Sequence, residues 1–100
     1  MPRIARHRFR PDDLEAILNS VIDDGMDGQY NDYQGAEQAA MAIQSVVAML
    51  VRRGRLVATP LAPAMKSLMT SVADDERYQR DDFKKALGGM REALVRSTRR

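Results

Sequence analysis

Apolar residues recur at helical spacing in four separate runs along the chain, and each run is bounded by residues that start or stop helices. In the first, Leu14, Ile17, Leu18, Val21 and Ile22 form one stripe, and Pro11 suits the opening position because its missing N–H would have no partner there. Asp12, Asp13 and Glu15 favour the positive end of the helix dipole, Phe9 is placed to staple against Leu14, and Gly25 is placed to end the helix. The second run, Ala36 to Arg53, is apolar on almost every side, which predicts a central helix with neighbours on several faces. Its start falls at Asn31 or Asp32, with Asn31 and Gln34 spaced as a capping box, and Gly54 ends it.

A short connector follows, with a brief extended piece expected at 55–59. Pro60 and Pro63 put the start of a third helix at Ala62 or Pro63, with Met65, Leu68, Met69 and Val72 facing inward. A charged link, 74–80, with one turn around Tyr78, leads to a last helix from Asp81 to Arg96 that buries Phe83, Leu87, Met90 and Leu94. Gly88 and Gly89 interrupt that helix at a cost of roughly 2 kcal/mol against alanine, so they predict a close backbone approach or a kink. The expected fold is all-α: a compact single domain over 1–100, about four helices around a central apolar one, with residues 1–8 and 97–100 as mobile basic ends.

Composition narrows the function classes. There is no cysteine, so disulfides, thiolate zinc sites and cysteine nucleophiles are excluded. His7 is the single histidine and stands among arginines, which leaves a histidine-centred triad or zinc site nothing to build on. Gly88-Gly89 lacks the lysine and serine of a phosphate-binding loop. These absences argue against an enzyme and against a bound cofactor. No apolar segment follows the N-terminal arginines as a secretory signal would require, and 39–51 is too short to span a bilayer. A cytoplasmic protein without membrane contact is expected.

Net charge is only +2, but its distribution is uneven. Arg3, Arg6, Arg8 and Arg10 open the chain, whereas 12–37 holds eight acids and no lysine or arginine. The acids cluster in "DDGMDGQYNDYQG", residues 23–35. As a calcium loop from Asp23 to Gln34 it has Asp27, Gly28 and Asn31 in register, but Gly25 and Gln34 stand where two oxygen ligands belong, one of them the closing carboxylate. The alternatives are a solvated linker whose polar groups cap helices, or a protein-binding surface. In the second case Asp23, Asp24, Asp27, Tyr30, Asn31, Asp32 and Tyr33 supply carboxylates for a lysine- and arginine-lined partner, with tyrosines as anchors. Arginine-rich ends also allow a basic-tailed nucleic-acid-binding protein or a small antitoxin-like regulator.

Across its length, from "MPRIARHRFRPDDLEAILNSVIDD" through "GMDGQYNDYQGAEQAAMAIQSVVAML" to "GGMREALVRSTRR", the chain resembles small phage- or prophage-encoded anti-CRISPR proteins of the type I-F class. The likeness is to the whole chain and rests on no shared motif, so it transfers no residue role. It implies a stoichiometric inhibitor in a bacterial host cell. The implied partner is the RNA-guided CRISPR-Cas surveillance complex, whose positively charged channel holds target DNA. The acidic surface would then compete with phosphates for basic side chains and block DNA binding.

Overall fold

The computed structural model describes residues 11–98. Four helices account for most of them: α1 (Pro11–Met26), α2 (Tyr33–Arg52), α3 (Leu61–Ser71) and α4 (Arg80–Ser97), with a short 3-10 turn at Asp75–Arg77. The fold is a compact all-α domain, as the periodicity predicts. The proposed Phe9–Leu14 staple and the end at 1–8 fall outside the described residues.

Two helical pairs build the domain. Glu15, near the start of α1, bonds Arg55, just past the end of α2, at 3.1 Å, so α1 and α2 run antiparallel. The connector after α2 returns to the far end of α4: Leu56 bridges Thr98, and Val57 N–H donates to Ser97 O at 2.8 Å. This single bridge is the brief extended piece expected there. Ser97 is fully buried, and its hydroxyl both donates to Val57 O and accepts from Val57 N–H. The expectation of a mobile end from residue 97 onward therefore fails for Ser97, because a buried hydroxyl needs partners and the connector supplies both. Residues 99 and 100 lie outside the described part.

The pairs meet where α1 crosses α4. Leu14, Leu18 and Ile22 of α1, seven residues of α2, Leu61 and Leu68 of α3, and Phe83, Leu87, Met90 and Ala93 of α4 share one core with Leu56 and Val72. Helix α2 supplies the largest share, but it is packed on one side only: Met41, Ala42, Ser45 and Ala48 are exposed. The neighbours expected on several of its faces are absent because α1 is its one extensive helical neighbour and α3 touches it only marginally.

Helix ends differ from expectation in instructive ways. Gly25 does not end α1; it lies inside the helix and is buried. The end is formed three residues later, by Gly28 at φ 87°, where Gly28 N–H bonds Gly25 O and Gln29 N–H bonds Asp24 O, the paired bonds of a Schellman motif. Gly54, at φ 76°, ends α2 in the same way, as predicted, with Gly54 N–H on Val51 O and Arg55 N–H on Leu50 O. Asp32, not Asn31, caps α2, its carboxylate accepting from Gly35 N–H at 3.0 Å, so no capping box with Gln34 forms. Helix α3 starts one residue earlier than expected; Pro63 at its third position is tolerated because that N–H has no intrahelical acceptor. Likewise α4 begins at Arg80, which places Asp81 and Asp82 within its first turn.

The close approach expected at Gly88-Gly89 occurs at Gly25 instead. A Cβ at Gly25 would overlap Cδ1 of the fully buried Leu87 and lie 3.2 Å from Cδ2 of Tyr30. At Gly88 the nearest atom to such a carbon is Met26 Cε at 3.9 Å, an ordinary contact, and at Gly89 there is none. Gly89 opens on a groove of about 740 Å³ between α3 and α4, and α4 is continuous through both glycines.

Opposite outcomes are expected at these positions. Gly25→Ala should destabilise the fold by roughly 1–3 kcal/mol, since the fully buried Leu87 would have to leave its place in the core to make room. Gly89→Ala should stabilise it by up to about 1 kcal/mol by removing helix-interior glycine entropy. Urea denaturation of the two variants checks both signs.

Candidate functional site

The acidic turn between α1 and α2 is held by α4 and by the segment before it. Four aromatic rings form its floor. Tyr30 meets Phe83 edge to face at 6.2 Å, Tyr33 meets Tyr78 at 6.0 Å, and Tyr78 leans on Phe83 at 6.2 Å. The hydroxyl of Tyr78 donates to Tyr30 O at 2.9 Å, which fixes the middle of the turn. The Tyr33 hydroxyl lies 2.9 Å from Val72 O and 3.1 Å from Glu37 Oε2, so its one proton ties the start of α2 to the end of α3 or to its own helix. Tyr30 and Tyr33, expected as anchors for a partner, are half-buried and packed on the core.

Two arginines of α4 fasten the polar residues. Arg91 pairs with Asp23, and Arg80 Nη1 donates to Asn31 Oδ1 at 2.7 Å. With Asp32 engaged in capping and Tyr33 bonded through its hydroxyl, four of the seven candidate side chains have hydrogen-bond or ion-pair partners inside the chain, and Tyr30 packs its ring on Phe83. Asp24 and Asp27 differ: both are exposed, and neither makes a side-chain hydrogen bond or ion pair with another described residue. The structure therefore brings all seven to one end of the molecule but divides them into a fastened set and a free pair.

Placement of the acids is electrostatically unfavourable. Asp23 and Asp24 occupy the last turn of α1 and Asp27 follows directly, at the negative end of the helix dipole, and no basic residue shares that turn. Each such carboxylate costs from about 0.3 to 1 kcal/mol at low salt. Arg91 relieves Asp23; Asp24 and Asp27 get no such relief.

No group of three or more histidine, cysteine or acidic residues is arranged to hold a metal ion among the described residues. Gly25, at the third calcium-loop position, is helical and buried against Leu87, so even its backbone is turned to packing. No helix of the described residues is long and apolar enough to cross a membrane.

No family model, curated protein or solved structure matches the chain. What can be said of the site therefore comes from its own geometry. The residues that sequence reasoning missed are Tyr78, Arg80 and Arg91. They lie far along the chain from the turn, and only the antiparallel crossing of α1 and α4 brings them to it.

Burial is the main cause that raises the pKa of Tyr30, Tyr33 and Tyr78; nearby carboxylates add to it, Asp24 for Tyr30, Glu37 for Tyr33 and Asp32 for Tyr78, where Arg80 opposes. Folded values above the ordinary phenol value mean that this contribution to stability is complete below about pH 10 and is lost as pH rises through the folded values. Absorbance titration at the phenolate band should show all three tyrosines ionising above the free phenol, together with loss of helical signal. Tyr78→Phe should cost about 1 kcal/mol in denaturant titrations by leaving Tyr30 O without its donor.

Proposed function

We propose that the protein is a stoichiometric inhibitor that docks its acidic turn on a basic, nucleic-acid-handling assembly, namely the surveillance complex of a type I-F CRISPR-Cas system. The chemistry rests on the free carboxylates of Asp24 and Asp27, and the choice of assembly on the whole-chain resemblance. Target DNA enters such a complex through a channel lined with lysine and arginine. Carboxylates placed there compete with phosphates, speed encounter through charge steering, and require no catalysis.

The observation that carries this reading is the position of Asp24 and Asp27. A sequence shaped by stability alone would put lysine or arginine at the end of α1, where the dipole favours them. Here it places acids, leaves two of them without a partner among the described residues, and holds the turn beneath them with tyrosine hydrogen bonds and ring contacts. Charge kept at a cost on a rigid support is the pattern of a recognition surface. Asp23, Asn31 and Asp32 contribute to the local negative field while serving the fold, and Tyr30 and Tyr33 position the turn.

The test separates function from folding. Asp24→Lys/Asp27→Lys should raise the thermal midpoint slightly, by relieving the dipole, while abolishing binding to the surveillance complex and inhibition of target DNA capture. A variant that is equally stable or more so and still inhibits fully would sink the assignment. Wild-type protein should leave free duplex DNA unshifted, whereas a basic-tailed DNA-binding protein would shift it, more weakly as salt rises.

A further inference from the structure

Two aspartates of the acidic turn are each followed by glycine, in the pairs Asp24-Gly25 and Asp27-Gly28. An aspartyl carboxyl can close on the backbone nitrogen of the next residue to form a five-membered succinimide ring. Closure is easiest when that residue is glycine, because a Cβ there crowds the nitrogen and restricts the backbone. The structure treats the two pairs in opposite ways.

Asp24 and Gly25 lie inside α1. The place a Cβ would take on Gly25 is filled by Leu87 and Tyr30, and the glycine is buried. Drawing its nitrogen toward the Asp24 carboxyl would unwind the last turn of α1 and pull the backbone off Leu87. Asp27 and Gly28 lie just beyond Met26, the last helical residue. Asp27 is exposed, and its carboxylate has no hydrogen bond or ion pair with another described residue. At Gly28 nothing lies within 4 Å of the place a Cβ would take, so the nitrogen can be approached and the backbone can turn. Two bonds restrain it: Gly28 N–H donates to Gly25 O at 3.0 Å, and Gln29 N–H donates to Asp24 O at 2.9 Å. Bonds in a terminal turn open far more readily than those of a packed helix interior.

We infer that Asp27 is a modification site, at which the folded chain isomerises without an enzyme through a succinimide formed with Gly28. The Gly28 nitrogen attacks Cγ of the protonated carboxyl. An N–Cγ bond forms, the C–OH bond breaks, and the hydroxyl leaves with the amide proton as one water. A second water then adds to one of the two ring carbonyls. Addition at Cγ restores aspartate; addition at the backbone carbonyl of Asp27 breaks the original peptide bond to Gly28, so that the chain runs on through the β-carbon. Composition is unchanged from start to finish, one water having left and one having entered. The product carries an extra methylene in the backbone of the turn and its carboxylate directly on the α-carbon. The inference does not depend on the inhibitor reading, although under that reading it displaces one of the two free carboxylates.

Folded wild-type protein is held at physiological temperature in neutral buffer beside a synthetic peptide of residues 23–35. Peptide mapping with electron-transfer fragmentation reads isoaspartate at each position, and methyl transfer by an isoaspartyl methyltransferase reads the total. Isoaspartate should accumulate at position 27 while position 24 remains aspartate. The native rate should be roughly ten- to a hundredfold below that of the peptide, since two backbone bonds must open first. In urea sufficient to unfold the chain, the two positions should convert at similar rates. Asp27→Glu should leave the native protein without methyl acceptance, because its longer side chain would have to close a six-membered ring, which forms far more slowly. Circular dichroism checks that this variant folds. Native protein that forms no isoaspartate at 27 while the peptide converts overturns the inference. So does equal conversion at 24 and 27 in the native state, or an Asp27→Glu variant that accepts methyl groups as wild type does.

Discussion

The crossing of α1 and α4 is the constraint on which the rest of this structure depends. Each of these helices belongs to a different antiparallel pair, and their contact makes two pairs into one domain. It is close because Gly25 offers no side chain where Leu87 packs. Ile22 and Leu87, both fully buried, seal the crossing from within, and Arg91 on Asp23 closes it from outside. Everything at the acidic end follows from that register. With α4 fixed against α1, Phe83 lies under Tyr30, Arg80 reaches Asn31, and Tyr78 can donate to the backbone of the turn. A glycine in a helix costs up to about 1 kcal/mol, and here the packing of a fully buried leucine offsets it.

Within this frame the acidic turn is a supported structure. Rings beneath it and arginines beside it absorb the hydrogen-bonding capacity of most of its polar groups, and Gly28 gives the backbone the left-handed residue that the Schellman turn needs. Asp24 and Asp27 are therefore presented on a turn that has little freedom to lose when a partner binds. Preorganisation of this kind lowers the entropic cost of association, so even a few carboxylates can contribute usefully to affinity. The same rigidity explains why the tyrosines serve better as supports than as anchors: a ring already packed at an aromatic centre has little area left to offer.

How much was legible in the sequence depended on the range of the interaction that decided each feature. Helix periodicity is local, and the stripes of Leu14 to Ile22 and Phe83 to Met90 were readable without knowing their neighbours. Gly54 was readable as a helix end because nothing competed for it. Gly25 was not: a glycine near the end of a stripe looks like a cap, and only the placement of Leu87, far along the chain, reveals it as a packing residue. Gly88 and Gly89 misled in the reverse direction, since the cost of helix-interior glycine is visible in sequence while the presence or absence of an opposing side chain is not. In the same way the polar residues of the turn were legible as a cluster, but their division into fastened Asp23, Asn31 and Asp32 and free Asp24 and Asp27 required the arginines of α4 and the true start of α2.

The all-round apolarity of α2 illustrates what remains when a local pattern and the tertiary structure disagree. Sequence reasoning assigned its surplus apolar face to intramolecular neighbours, and the fold provides them on one side only. Apart from Met41, the surplus consists of small residues, Ala42, Ser45 and Ala48, each of which exposes little apolar area, so a periodicity read from residue type alone overstates the burial that this helix needs.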